Sequence, residues 1–211
     1  MQRFREPWSS VTHLAAIPLA AAGLVYLLVL SRSDPLRMAT MAIYGTSLLL
    51  TFSASTALHV YQGPQRTIDR LNRLDHAVIY FLIAGSYTPI CANALSGFWR
   101  EGMLIIVWTL AVIGALYKLL ARGFNDTLST GFYLAMGWMA VGAFPQILRA
   151  FPAPAIVLLV AGGIFYTTGA IFYSLESRAT FTSFGWHEVW HLAVIAGSGL
   201  HFWMIARYVA A

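Results

Sequence analysis

Charged residues are scarce in this sequence of 211 residues. Asp, Glu, Lys and Arg together make up 10% of the chain, whereas hydrophobic residues make up 59%. Soluble globular domains carry about 25% charged residues, so this chain has too little charge to cover a surface that faces water. The composition therefore excludes an ordinary soluble domain. It indicates a membrane protein, which we expect to form a single domain over residues 1–211.

Cysteine and lysine are almost absent, with one residue of each, Cys91 and Lys118. A single cysteine cannot form an internal disulfide. A retinal pigment needs a Schiff-base lysine in the middle of its last helix, and Lys118 lies too early in the chain for that role. The net charge of +5 is spread along the chain, which excludes the dense basic face that nucleic-acid binding requires.

Long apolar stretches are what the sequence has in abundance. A helix that crosses the hydrocarbon core of a bilayer needs about 20 mostly apolar residues. Seven stretches approach this length, so we predict an all-α integral membrane protein, a seven-transmembrane-helix bundle. Lys118, near the end of the fourth stretch, is expected to extend towards the lipid headgroups. The predicted spans are residues 11–31, 38–61, 76–95, 102–120, 128–147, 153–175 and 187–208.

The distribution of basic residues predicts the orientation of the bundle. Cytoplasmic loops of membrane proteins carry an excess of Lys and Arg. The side that holds the N-terminus has eight of these residues: Arg3, Arg5, Arg66, Arg70, Arg73, Lys118, Arg122 and Arg178. The opposite side has five: Arg32, Arg37, Arg100, Arg149 and Arg207. We therefore expect the N-terminus in the cytoplasm and the C-terminus outside.

Ionisable residues of the predicted spans gather at one depth. Such groups are costly inside a bilayer and tend to mark a functional site. With the spans oriented as above, one set lies in the cytoplasmic leaflet although its members are far apart in the sequence. The set is His13, His59, Asp75, His76, His187 and His191.

The last predicted span begins with "HEVWH", in which His187 and His191 are four residues apart. This spacing puts both imidazoles on one helix face, about 6 Å apart along the axis, so both can turn to one ion. A catalytic zinc site has three protein ligands and an open position. His59, on another helix at the same depth, is the natural third ligand, and the expected metal is Zn²⁺.

Ser55 and Asp75 are the predicted catalytic residues beside this site. Ser55 lies one turn before His59 and is placed to hydrogen-bond to it or to orient a water molecule. Asp75 can bind the metal directly, or it can accept a proton from the metal's water as a general base.

Four further residues have other expected roles. Glu6 and His13 are expected to cap or brace the first helix. His76 points about 100° away from its preceding neighbour, which favours an interfacial role. His201 is roughly 15 Å deeper than the paired histidines of the last span, so we expect it to make an interhelical hydrogen bond and no metal bond.

Three motifs, which together span almost the whole chain, give a resemblance to a known family. The first is "EPWSSVTH", which fits the pattern ExxNxxTH at Glu6, Thr12 and His13, with Ser9 in place of the usual Asn. The second is "SASTALH", with Ser55 and His59, followed by Asp75. The third is "HEVWHLAVIAGSGLHF", with His187, His191 and His201. In this order the motifs resemble those of the hemolysin III family of bacterial membrane proteins, part of the wider progestin and adipoQ receptor (PAQR) group.

The resemblance implies a seven-helix bundle with a cytoplasmic N-terminus, zinc held by His59, His187 and His191, and Asp75 near a bound water. Receptors of the group are similar to alkaline ceramidases, which implies hydrolysis of lipid amides. Bacterial members look like proteins of membrane lipid homeostasis, and the family name reflects cytolytic activity. The implied location is the inner membrane of a bacterial cell.

The leading hypothesis is a zinc-dependent hydrolase of a lipid acyl-amide or ester, with membrane lipids as its partners. One alternative is a lipid-sensing, receptor-like or cytolysin-type protein in which zinc is structural and protein closes its fourth position. A pore-former would need a water-lined path, and the deep halves of these spans are almost entirely apolar. A lesser alternative is an intramembrane metalloprotease with Glu188 of the HExxH sequence as its base, although Glu188 lies off the face shared by His187 and His191.

Overall fold

The computed structural model describes residues 6–121, 126–174 and 185–211. Arg3, Arg5, Arg122 and Arg178, which contributed to the predicted orientation, lie outside these ranges. All regular secondary structure in the described ranges is helical, so the prediction of an all-α protein is confirmed. The helices are α1 (Pro7–Leu30), α2 (Pro35–Val60), α3 (Gln65–Ala94), α4 (Phe98–Leu120), α5 (Asp126–Trp138), α6 (Phe144–Ala150), α7 (Ala153–Ser174) and α8 (Trp186–Ile205).

Six of the described helices are long and apolar enough to cross a membrane: α1, α2, α3, α4, α7, and α8 with its C-terminal turn to Ala210. The predicted span 128–147 is divided in the structure. Its two parts, Thr127–Val141 and Phe144–Ala150, meet at an angle of 55°. The described residues therefore contain six spans, or seven if the bent pair crosses the membrane as one.

Tyr87 of α3 explains how the break between α5 and α6 is stabilised. A broken helix at membrane depth leaves backbone groups without partners, and these must be satisfied within the protein. The amide N–H of Ala140 donates to the Tyr87 hydroxyl at 2.8 Å. The same hydroxyl lies 2.9 and 2.8 Å from the carbonyl oxygens of Met136 and Gly137, which accept its proton. One side chain from a neighbouring helix thus satisfies the backbone groups that the break exposes.

The helices form a closed ring. Neighbours in sequence pack side by side, α1 on α2, α2 on α3, α3 on α4, and α7 on α8. Helix α5 contacts α3, α4 and α7, and α8 packs against α1. The backbones of α7 and α8 touch where Gly162 faces Gly197: an added Cβ on either glycine would lie 3.1–3.2 Å from the carbonyl oxygen of the other. Small residues at such crossings permit close packing of membrane helices.

Helix α3 begins eleven residues before the predicted start of its span at residue 76. Most of the polar segment 62–75, which lies between two predicted spans, is helical because its side chains support a helix. The Gln65 amide donates to the Asp69 carboxylate at 2.8 Å, a pairing over four residues that stabilises helices. Asp75 therefore lies three turns inside α3, on a fixed part of the ring.

Lys118 was expected to reach the headgroups, and this prediction is wrong. Its side chain is 0% exposed, and its ammonium group donates to Nδ1 of His76 at 3.2 Å. The position of Lys118 on the face of α4 that packs against α3 accounts for the difference, because an acceptor is within reach there. His76 is half-buried and faces Lys118 within the protein.

Candidate metal centre

Three histidines from two helices converge at one end of the ring. His59 lies in the last turn of α2, and His187 and His191 lie in the first two turns of α8. One ring nitrogen from each lies within 4.8 Å of the others, and among the described residues this is the group of His, Cys, Asp and Glu side chains that can hold a metal ion. His59 and His191 are buried, and His187 is partly buried. The predicted convergence of these residues is therefore present.

The separation of the ring nitrogens suits a tetrahedral ion. Nε2 of His59 and Nε2 of His187 are 3.4 Å apart. Two nitrogens bound to tetrahedral zinc at about 2.0–2.1 Å lie roughly 3.4 Å from each other. A hydrogen bond is normally shorter, with heavy atoms about 2.7–3.2 Å apart. The donor set, three imidazoles, also matches the ligands that zinc prefers in proteins.

Helix α1 contributes a second layer of contacts around the histidines. The Glu6 carboxylate pairs with Nδ1 of His59 in a buried contact. The Thr12 hydroxyl lies 3.0 Å from Nδ1 of His191. Glu6 and His13 were expected only to cap or brace α1. The sequence signal that singles out Glu6 and Thr12 is the "EPWSSVTH" motif, but the motif does not say which residues they contact.

His13 lies against the cluster without joining it. Its ring stacks on that of His191, with centroids 3.8 Å apart and planes 6° from parallel. The side chain is 3% exposed, and neither ring nitrogen has a hydrogen-bond partner. The stacking holds the plane of the His191 ring, so the role of His13 extends beyond bracing its own helix.

Asp75 and Ser55 form a pair beside the histidines. The Ser55 side chain lies close to the Asp75 carboxylate, which is within electrostatic range of His59 and His187. Ser55 was expected to bond to His59 or to a water, and in the structure it also lies beside Asp75. Both residues line the same cavity as His187 and His191.

This cavity has a volume of about 200 Å³ and a mostly apolar lining. It follows α3 from Asp75 to Leu95, a rise of about 30 Å at 1.5 Å per residue. His13, Ser55, Asp75, His187 and His191 line its polar end, and the remainder includes Leu82, Ile90, Met103, Phe144 and Ile147. The cavity is thus long and narrow, with its carboxylate and most of its histidines at one end.

His201 lies along the cavity, away from the metal cluster. Its Nε2 donates to the carbonyl oxygen of Leu159 on α7 at 3.0 Å. The predicted interhelical hydrogen bond is therefore confirmed.

Both carboxylate oxygens of Glu188 accept hydrogen bonds from neighbouring groups. One of its oxygens accepts a hydrogen bond from the Ser9 hydroxyl at 2.5 Å. The other accepts from the backbone N–H of Gly185 at 2.7 Å. Its side chain is 7% exposed. The geometry is that of a residue that caps α8 and ties it to α1.

The sequence was compared with known proteins. The model of the family described as haemolysin-III related matches residues 1–202. The chain is similar to the "Hemolysin-3 homolog" of Bacillus subtilis (strain 168), with 33% identity over 95% of this chain and 92% of that protein. It is similar to "Hemolysin-3" of Bacillus cereus, with 34% identity over 95% of this chain and 90% of that protein.

A human protein also aligns over most of the chain. The "Monocyte to macrophage differentiation factor" of Homo sapiens is 28% identical over 94% of this chain and 82% of that protein. The likeness therefore extends from bacterial to animal proteins.

Proposed function

The chain belongs to the haemolysin-III-related family and is a multi-pass membrane protein, and from this premise we propose that it is a Zn²⁺-dependent hydrolase of acyl-amide or acyl-ester bonds in membrane lipids. In this proposal it lies in the inner membrane of a bacterial cell and has its N-terminus in the cytoplasm. His59, His187 and His191 bind the metal, and Asp75 and Ser55 act on the water and the substrate.

One observation carries the proposal: the three-histidine cluster lies at the polar end of a long apolar cavity. Structural zinc sites are closed by four protein ligands, whereas catalytic sites have three and leave a position for water or substrate. In the described part of the chain three ligands converge, and the cavity borders them. This arrangement supports a catalytic site.

The residues of the site have separate tasks. Bound Zn²⁺ supplies Lewis acidity, which polarises an acyl carbonyl and activates water. Asp75 accepts a proton from the attacking water as its oxygen adds to the carbonyl carbon. Ser55, which lies close to the Asp75 carboxylate, orients it. When the C–N or C–O bond breaks, the proton passes from Asp75 to the leaving amine or alcohol, and a free fatty acid remains.

The cavity provides the acyl-chain site. Its length along α3, about 30 Å, and its apolar lining suit a single extended hydrocarbon chain. With the scissile bond at the histidine cluster, the chain extends towards Leu95 and Met103. Exclusion of water from the apolar part also strengthens the electrostatic interactions at the polar end.

A Gly163→Phe substitution tests this assignment. Gly163 lines the cavity, and an added Cβ there would meet no atom within 4 Å, so the ring can project into the space for the acyl chain. We expect fatty-acid release from a long-chain N-acyl lipid to fall roughly 100-fold, as expected for a misplaced substrate. Metal content should not change. Release is measured by mass spectrometry on purified protein in nanodiscs, with and without a chelator.

Gly199→Phe is the matched control. Gly199 is exposed on α8 and also has open space around its Cβ position, but it does not line the cavity. This variant should keep wild-type activity, and a substrate with an acetyl group in place of the long chain should be affected much less by Gly163→Phe. Equal losses in both glycine variants, or no chelator-sensitive release by the wild type, would count against the proposal.

Glu188→Gln separates lipid hydrolysis from metalloprotease chemistry. Because one Glu188 oxygen caps α8 and the other accepts from Ser9 of α1, we expect metal content and lipid hydrolysis to stay at wild-type levels. Loss of capping costs about 1 kcal/mol, which lowers Tm by about 2–4 °C. Glu101→Gln, in the first turn of α4, is the control. Activity abolished by Glu188→Gln with metal still bound would instead identify Glu188 as the base.

A further inference from the structure

We infer that α1 and its N-cap supply two positioning residues, Thr12 and Glu6. They determine which ring nitrogen of His191 and of His59 carries the proton, so that both histidines present Nε2 to the metal. The inference deepens the proposed function and rests on its metal site. It assigns a chemical task to the first helix, which contributes none of the three ligands. The two residues act through separate hydrogen bonds.

Glu6 determines which nitrogen of His59 carries the proton. An ionised carboxylate can only accept hydrogen bonds, so Nδ1 of His59, which faces Glu6, must be the donor. Nε2 of His59 is then left with a free lone pair. This nitrogen is the one that lies 3.4 Å from Nε2 of His187, on the side where the metal binds.

The backbone holds Glu6 in place for this contact. The amide N–H of Glu6 donates to the carbonyl oxygen of His59 at 3.2 Å, so the same two residues are joined by both backbone and side chain. The Ser10 hydroxyl donates to the Glu6 carbonyl at 2.7 Å. Glu6 is 8% exposed, and a buried carboxylate requires such a partner.

Thr12 likewise determines which ring nitrogen of His191 carries the proton. The Thr12 hydroxyl has one proton, and it donates this proton to the carbonyl oxygen of Ser9 at 2.9 Å. Towards Nδ1 of His191, 3.0 Å away, the hydroxyl can then only accept. Nδ1 therefore carries the proton, and Nε2 of His191 is free to bind the metal.

Such outer contacts have a measurable effect on metal sites. A hydrogen bond from the far nitrogen of a histidine ligand fixes the ring orientation and makes the ligand more basic. Loss of the partner costs about 10- to 100-fold in metal affinity. A residue with a merely structural role would change the stability of the metal-free protein and leave the affinity of the folded protein unaltered.

The test measures Zn²⁺ affinity of the full chain in nanodiscs by competition with a chromophoric chelator. Glu6→Leu and Thr12→Val each remove an acceptor with little change in volume, and each is expected to weaken Zn²⁺ binding about 10- to 100-fold. Glu6→Gln, which retains a carbonyl oxygen without the charge, should lose less, and Thr12→Ser should bind as the wild type does. The d–d absorption of bound Co²⁺ reports whether the three-histidine ligand set persists in each variant.

Thr51→Val is the matched control. Thr51 is a buried threonine whose hydroxyl donates to the backbone oxygen of Ser47 at 2.8 Å, and its loss should leave Zn²⁺ affinity unchanged. Melting of the metal-free proteins shows whether each variant folds. If Glu6→Leu does not fold, the Zn²⁺ affinities of Thr12→Ser and Thr12→Val decide whether the inference holds.

Three results are distinguishable. Weakened Zn²⁺ binding in the Glu6 and Thr12 variants, with Thr12→Ser and Thr51→Val normal, supports the inference. Wild-type affinity in folded Glu6→Leu and Thr12→Val overturns it and leaves the proposed metal site intact. A wild-type protein that binds no Zn²⁺ overturns both the inference and the proposed function.

Discussion

A His187→Ala variant is expected to purify almost free of zinc, whereas the wild type should hold about one ion per chain. Removal of one of three ligands leaves two imidazoles, too few for the three-ligand site of a catalytic zinc. Lipid hydrolysis should be lost with the metal. Atomic emission spectrometry on protein purified without chelators measures the zinc content directly.

His201→Ala provides the control for this experiment. It removes an imidazole from the same helix, but one that bonds to the Leu159 backbone and lies away from the cluster. Its zinc content should equal that of the wild type. Full zinc occupancy in a triple variant that lacks the imidazoles of His59, His187 and His191 would show that the metal binds elsewhere.

Asp75→Asn is expected to abolish most hydrolysis while the metal stays bound. An asparagine keeps the shape of the side chain and can still accept from Ser55, but it cannot take up a proton from water. General-base catalysis contributes about 10²- to 10⁴-fold, so kcat for fatty-acid release should fall by that factor. The measurement combines a rate assay on a defined N-acyl lipid with the zinc analysis of the same sample.

Asp69→Asn, which changes an exposed residue six positions earlier on α3, should behave as the wild type in both assays. A joint loss of zinc and activity in Asp75→Asn would instead make Asp75 a metal ligand, the other role that the sequence allows. A wild-type protein that binds zinc but releases no fatty acid from any acyl lipid would point to a structural metal in a sensing protein.

The sequence predicted the features that depend on local pattern. Apolar stretches of about 20 residues predicted helices because a bilayer imposes that length. The spacing of His187 and His191 predicted a shared face because of the helical repeat. Depth within the membrane added His59 and Asp75, since the spans align residues that are distant in the chain.

Features that depend on contacts between distant helices were not predictable in this way. The break after α5 is stabilised by Tyr87 of α3, and nothing in the segment 128–147 itself indicates that partner. Lys118 is buried because His76 lies opposite. The contact between Glu6 and His59 depends on how α1 packs, so the motif could suggest that Glu6 matters but not why.

The closure of the ring between the first and last helices has a consequence for biosynthesis. A ribosome delivers His59 to the membrane early, together with Glu6 and Thr12, but His187 and His191 emerge only near the end of translation. The three-histidine cluster can therefore assemble only after α8 has been inserted against α1. Metal loading is then a post-translational event, and a nascent chain that stalls before Trp186 exposes a single imidazole of the cluster to the cellular metal pool.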